Sequence, residues 1–254
     1  MGVFAGAYLI FLVQPMVAKR ILPWFGGGPG VWMICLMFYQ TTLFFGYAYA
    51  HALIQFVRPA AQLGIHALFF VASFALLPVL PGDDWKPETS GDPSRAIVTL
   101  LFVKVAVPFI TLAATGPLLQ SWFTRRYPAQ SPYVLYAVSN FGSLVALLAF
   151  PLIMEPLLSL DTTGQVWSFG FVAASFLILS CGALTLRAAP PEVSPGTGTQ
   201  EEELGRVRWQ DFSPWLALSA CAVILLMAVT NKLCLDVASV PFLWVLPLGL
   251  YRSA

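Results

Sequence analysis

Gln14, Lys104, Thr115, Gln120 and Asn140 stand inside long apolar runs, where a polar side chain needs a partner or a ligand. Gln14 precedes Pro15, which removes a backbone donor from its helix, and its carboxamide can hydrogen-bond across helices or pack against a neighbour. Thr111, Thr115 and Gly116-Pro117, with Gln120 beyond, make a polar stripe interrupted by Pro108 and Pro117. A proline-broken helix exposes carbonyls that can coordinate a cation or a donor ligand, and it is also the ordinary way to bend a helix. Ser139, Asn140 and Ser143 make a second polar face, suited either to a solute or, with Gly142, to close helix packing. Lys104 falls about nine positions, ~13 Å, into its apolar run. It must face a bundle interior or snorkel to the interface. These five residues are the candidate lining of a substrate cavity. Asn231, Lys232 and Asp236 are candidates for a gate or an ion pair, since Lys232 and Asp236 stand at i, i+4; a self-neutralised surface pair is the plainer reading.

Other chemistry lacks its residues. No Ser-His-Asp or Cys-His constellation and no paired carboxylates in an apolar setting are visible, so no catalytic residue is assigned and the chain is read as not an enzyme. His51 and His66 flank the expected turn between the second and third spans, without metal-ligand spacing, and are read as solvated. Cys35, Cys181, Cys221 and Cys234 sit in or beside apolar runs and are read as buried free thiols. No metal and no cofactor is expected. A formal net charge of +1 offers no footprint for nucleic acid.

The elements that must position these side chains are membrane helices. Residues 21–57 contain no Asp, Glu, Lys or Arg, and similar runs recur along the chain. Each is long enough to cross a bilayer core of ~30 Å at ~1.5 Å per residue. Hydrophobic residues make up 58% and charged residues 10%, against a globular norm of ~25% charged, and the mean hydropathy is +0.78. The expected fold is an all-α polytopic membrane protein with its partner the lipid bilayer. Spans are expected at 2–20, 31–57, 60–80, 96–123, 133–154, 166–186 and 214–235, followed by a short apolar segment at 240–251 that reads as a truncated eighth span. That makes about seven to eight transmembrane helices. Residues 26–30 (GGGPG) form a tight turn, 81–95 a polar loop, and the Pro-, Gly- and Glu-rich stretch at 187–212 a cytoplasmic linker. Trp24, Trp32, Trp85, Trp122, Trp167, Trp209 and Trp215 fall near expected helix ends, as an interfacial aromatic belt would. A cytoplasmic N-terminus puts seven Lys and Arg in inner loops and five in outer ones, the favoured bias. Gln14 and Gln120 are each followed at five and six residues by two basic residues, Lys19-Arg20 and Arg125-Arg126, and then by a proline, Pro23 and Pro128. Inverted three-helix repeats would pair these positions, and chance competes with that reading.

Four strings carry a resemblance: FLVQPMVAKRILPWFGGGPGVW (11–32), ATGPLLQSWF (114–123), PYVLYAVSNFGSLVALLAFPLIMEP (132–156) and TNKLCLDVASVPFLWVLPLGLY (230–251). They resemble the membrane region of bacterial fused MFS/spermidine synthase-like proteins, in which helices similar to the major facilitator superfamily precede a soluble aminopropyltransferase-like domain. The resemblance implies a six-helix bundle over 1–186, the linker, and the start of a second bundle over 213–254, in a bacterial inner membrane. It implies as partners either a soluble aminopropyltransferase-like domain or further membrane helices. The nucleoside-binding glycine loop of that soluble domain has no counterpart, because 26–30 lacks the required spacing and follows a membrane helix. Two functions follow as expectations: a transporter-like module, or a non-transporting anchor for an aminopropyltransferase-like enzyme. A fragment without independent function is a third.

Overall fold

Prolines open three of the long helices. Pro29, Pro59 and Pro93 each occupy a first helical position, where the missing N–H has no intrahelical partner to lose. The computed structural model describes residues 1–87, 92–187 and 209–236, and among these every regular element is helical. In chain order they are α1 (Gly2–Ile21), α2 (Pro29–Phe56), α3 (Pro59–Phe74), α4 (Pro93–Lys104), α5 (Ala106–Arg126), α6 (Tyr133–Ala149), α7 (Glu155–Leu157), α8 (Leu160–Arg187) and α9 (Trp209–Asp236). Short 3₁₀ turns follow α1 and precede α4. Gly26 and Gly27 adopt φ of 83° and 66°, so the chain can reverse between α1 and α2 in the tight turn that the glycine run foretells.

Among the described residues five helical segments are long and apolar enough to cross a bilayer, and α4 with α5 make a sixth if that bent pair is one span. The chain is therefore a multi-pass membrane protein by length and composition. Its outer surface agrees: Phe44, Phe45, Leu68, Phe141, Phe169 and Phe176 are all exposed. In water each would forfeit about 1.5–3 kcal/mol relative to burial, whereas lipid tails remove that cost. The third expected span is shorter than read: α3 has 16 residues, ~24 Å of rise. It stops before Pro78, whose ring disfavours helical geometry in the residue ahead of it.

The expected continuous helix at 96–123 is broken. It bends by 59° between Lys104 and Ala106. Pro108 lacks the N–H that would bond the carbonyl of Lys104, and its ring crowds that turn. Lys104 is thus the last residue of α4, part-buried, where the helix dipole favours a cation, and not deep within one rod. A similar event ends α6, where a π-helical turn at Phe150–Met154 accommodates Pro151.

α1 is the axis of the bundle and packs on α5, α6 and α8; α2 and α3 pack on the other faces of α5, and α9 rests mainly on α2. Glycines permit several of the close crossings. A Cβ on Gly142 of α6 would lie 2.8 Å from the carbonyl oxygen of Phe4, and one on Gly46 of α2 would lie 2.5 Å from Ala113 Cβ. Gly2 faces Leu119 and Gly6 faces Thr115, so α1 and α5 run antiparallel. Phe4 faces Gly142 while Lys19 pairs with Glu155, so α1 runs parallel to α6 and its continuation.

The aromatic belt holds only in part. Trp32, Trp122 and Trp167 are almost fully buried inside the protein. Trp167 donates from Nε1 to the carbonyl of Leu9 at 2.9 Å, pinning α8 to α1. A buried indole requires a partner for its one N–H, which makes it a specific interhelical clamp. Cys35 is buried and Cys181 half-buried, but Cys221 is exposed on α9, correcting the uniform reading of buried thiols. The side chain of Cys234, residues 188–208 of the linker and the 240–251 segment lie outside the described residues.

Candidate solute cavity between α1, α2, α5 and α6

α1, α2, α5 and α6 line a partly open cavity of about 830 Å³, to which α9 adds Ala222. From α1 it receives Val3, Gly6, Ile10, Phe11 and Gln14; from α2, Leu36, Tyr39, Gln40, Leu43 and Tyr47. α5 supplies Phe109, Leu112, Gly116, Pro117 and Gln120, and α6 supplies Tyr136, Ser139 and Asn140. Three candidates from the sequence, Gln14, Gln120 and Asn140, therefore share one cavity. Thr115 and Lys104 do not line it.

The polar groups sit at two levels. Because α1 is antiparallel to α5 and parallel to α6, Gln120 and Asn140 lie beside the first turn of α1. Gln14 is roughly 18 Å further along the axis at 1.5 Å per residue. Gln40 belongs to the Gln14 level, since the ring of its neighbour Tyr39 packs on Phe109, 5.3 Å between centroids. Tyr136, more than half exposed, marks the end nearest the N-terminus of α1. The wall between the levels is aliphatic and aromatic.

Gln14 is 8% exposed, and among the described residues its carboxamide makes no hydrogen bond. An unpaired buried amide costs roughly 1–3 kcal/mol, so a cavity that exposes it to a ligand or to water relieves a real penalty. The hydroxyl of Tyr39 is also buried without a partner among the described residues. Pro117 lacks the N–H that the carbonyl of Ala113, on the cavity wall, would otherwise accept. No described lining residue is charged.

Charge gathers instead beyond the Gln14 level, where α1 ends. Lys19 Nζ pairs with Glu155 at 2.7 Å, and Arg20 pairs with Asp161 at 2.8 Å while donating to the carbonyl of Pro81 at 3.1 Å. Arg20 and Lys86 both stand over Trp24, at 5.8 and 5.9 Å from the ring centre. This clasp ties the end of α1 to α7, to the start of α8 and to the loop before α4.

Thr115 belongs to a second polar feature, the seam between α3 and α5. His66 is fully buried, not solvated as its neighbourhood in sequence implied, with Nε2 3.3 Å from Thr115 Oγ1. Ser73 Oγ lies 3.4 Å from Thr111 Oγ1. Trp122 Nε1 donates to Gln62 Oε1 at 2.8 Å, and Gln62 Nε2 donates to the carbonyls of Leu53 and Val57. The sequence carries a signal for this seam that polar residues read singly do not show. Gln62, His66 and Ser73, and likewise Thr111, Thr115 and Trp122, are spaced by four and seven residues, so each set lies along one face of its helix and the two faces can meet. The cavity's Gln40 was likewise missed; with Thr41 and Thr42 it is a polar triplet in a charge-free run.

Ser143, grouped with Ser139 and Asn140 from sequence, turns away and donates to the carbonyl of Ser139 at 3.0 Å. Asn231 is half-buried and Lys232 exposed near the end of α9. The side chain of Asp236 lies outside the described residues, and so does its pairing with Lys232. No family model, curated protein or solved structure matches the chain.

Proposed function

We propose that the chain is a transporter-like membrane module whose solute occupies the cavity between α1, α2, α5 and α6. The observation that carries this reading is Gln14, a nine-tenths buried residue whose carboxamide makes no hydrogen bond among the described residues, on the wall of an 830 Å³ space. Ligand sites usually take this form, with apolar and aromatic walls and a few convergent polar groups in about 300–1,000 Å³. Proline-interrupted helices at the cavity add support, since transporters expose backbone carbonyls at such breaks. The resemblance to major facilitator-like membrane regions adds a topology: a six-helix bundle over 1–186 and the beginning of a second, in a bacterial inner membrane with the N-terminus cytoplasmic. In that arrangement α4 and α5 form one bent span, α3 crosses with the apolar residues after it, and the cavity faces the second bundle.

Water access to the cavity is the test. In a cysteine-free variant, Gln14→Cys and Asn140→Cys should react with a small water-soluble maleimide, and Ile178→Cys, fully buried between helices, should not. Equal protection of all three would remove the cavity as a solute site. For topology, a cysteine at Ser194 should label from the cytoplasmic side of inverted vesicles; labelling only from the opposite side would reverse the orientation.

A further inference from the structure

We infer that the cavity selects an uncharged organic solute rich in hydroxyl or amide groups, with a flat ring face, of about nucleoside or disaccharide size. This inference rests on the reading of the cavity as a solute site. The decisive observation is the chemistry of its wall. Every described lining residue is neutral, and the polar ones are carboxamides, hydroxyls and a proline-released backbone position. A carboxamide presents both donors and acceptors, so Gln14, Gln40, Gln120 and Asn140 can meet either partner of a hydroxyl or an amide. None can neutralise a charge.

An ammonium or carboxylate entering this space would lose its hydration without an opposite charge, a cost of several kcal/mol even after relaxation. The charged groups nearest the slot do not relieve that cost. Lys19 and Arg20 are paired with Glu155 and Asp161 beyond the end of the cavity, and Lys104 lies off its wall. A diamine, which requires carboxylates at both ends, meets none among the described lining residues, although the resemblance to aminopropyltransferase fusions would suggest it. Tyr47 and Tyr136, both more than half exposed, provide ring faces, against which a planar base or the apolar face of a sugar can stack. The two polar levels, roughly 18 Å apart, favour a ligand with hydrogen-bonding groups at more than one place along its length.

The test measures equilibrium binding to the full chain in lipid nanodiscs with four probes: sucrose and uridine as neutral solutes, putrescine as a cation and citrate as an anion. Saturable binding of sucrose or uridine is expected, at least tenfold tighter than either charged probe. Gln14→Leu should weaken it at least tenfold while circular dichroism and gel-filtration behaviour stay unchanged. Gln14→Glu should depress neutral binding and admit putrescine; Asn140→Ala provides an independent second position. Binding of putrescine or citrate as tight as the neutral probes, and lost in Gln14→Leu, would overturn the solute class while leaving the cavity as the site. Neutral binding unaffected by both Gln14→Leu and Asn140→Ala would overturn the cavity itself. Failure of both neutral probes to bind, with Gln14→Cys still reactive to maleimide, would overturn the class alone.

Discussion

Replacing Gln62 with Leu removes a polar group that ties the end of α2, the start of α3 and the end of α5 together through one side chain. Gln62 is 0% exposed and Trp122 1%, so water cannot replace either partner. The substitution strands the indole N–H, bonded at 2.8 Å, and takes a 2.8 Å donor from the carbonyl of Val57. The carbonyl of Leu53 keeps the amide of Val57 at 3.0 Å and loses little. One buried orphan donor costs about 1–3 kcal/mol, and an under-satisfied carbonyl adds less, so Gln62→Leu should cost about 2–3 kcal/mol. Trp122→Phe removes the same bond from the other side, and the double variant isolates the pair. Interhelical hydrogen bonds in membrane proteins average about 0.6 kcal/mol with a maximum near 1.7. Short geometry and full burial place this one high, at about 1–1.5 kcal/mol of coupling, close to tenfold in the unfolding equilibrium. Reversible unfolding in mixed micelles, followed by circular dichroism for the four proteins of the cycle, measures it. Additivity within about 0.3 kcal/mol would refute the reasoning, because it would mean that the two side chains act independently.

Gly46→Ala should destabilise by about 1–3 kcal/mol in the same assay, since its Cβ would meet Ala113 Cβ at 2.5 Å and the α2–α5 crossing would have to open. Gly64→Ala, with nothing within 4 Å, should instead be neutral or stabilising by up to about 1 kcal/mol; a loss equal to that of Gly46→Ala would contradict the packing argument. Lys19→Ala should cost less than about 1 kcal/mol, because both partners of its ion pair are about one-third exposed, and the loss should shrink in high salt. The charge swap Lys19→Glu with Glu155→Lys should recover most of what Lys19→Glu alone loses, and failure to do so would show that the clasp is not electrostatic. The purified chain assayed with putrescine and a decarboxylated nucleoside donor should form product only at background, as no described acid shares the cavity; turnover lost on changing Asp83 and Asp84 would reverse this reading.

Much of the architecture was legible because its causes are local. Charge-free runs of helical length need only hydropathy to declare a membrane span, and prolines and glycines mark the turns between spans through their own backbone restrictions. Gln14, Gln120 and Asn140 stood out for a similar reason: a carboxamide in an apolar run is anomalous wherever it is. What the sequence could not supply was direction around each helix and depth relative to its neighbours. Whether the continuous apolar stretch at 96–123 is one rod or two depends on how the strain at Pro108 is relieved against the helices packed there, and the 59° bend is that outcome. Thr115 and Gln120 lie on one helix, yet one faces His66 and the other the cavity. His66 lies seven residues into α3 from a turn, and only the antiparallel match of α3 with α5 buries it. The ion pairs that close one end join residues more than 130 positions apart, a meeting set by the parallel course of α1 and α6 and the short α7 that follows. Local composition determined that the helices would enter a membrane; the meeting of their faces decided which polar groups bond each other and which face a cavity.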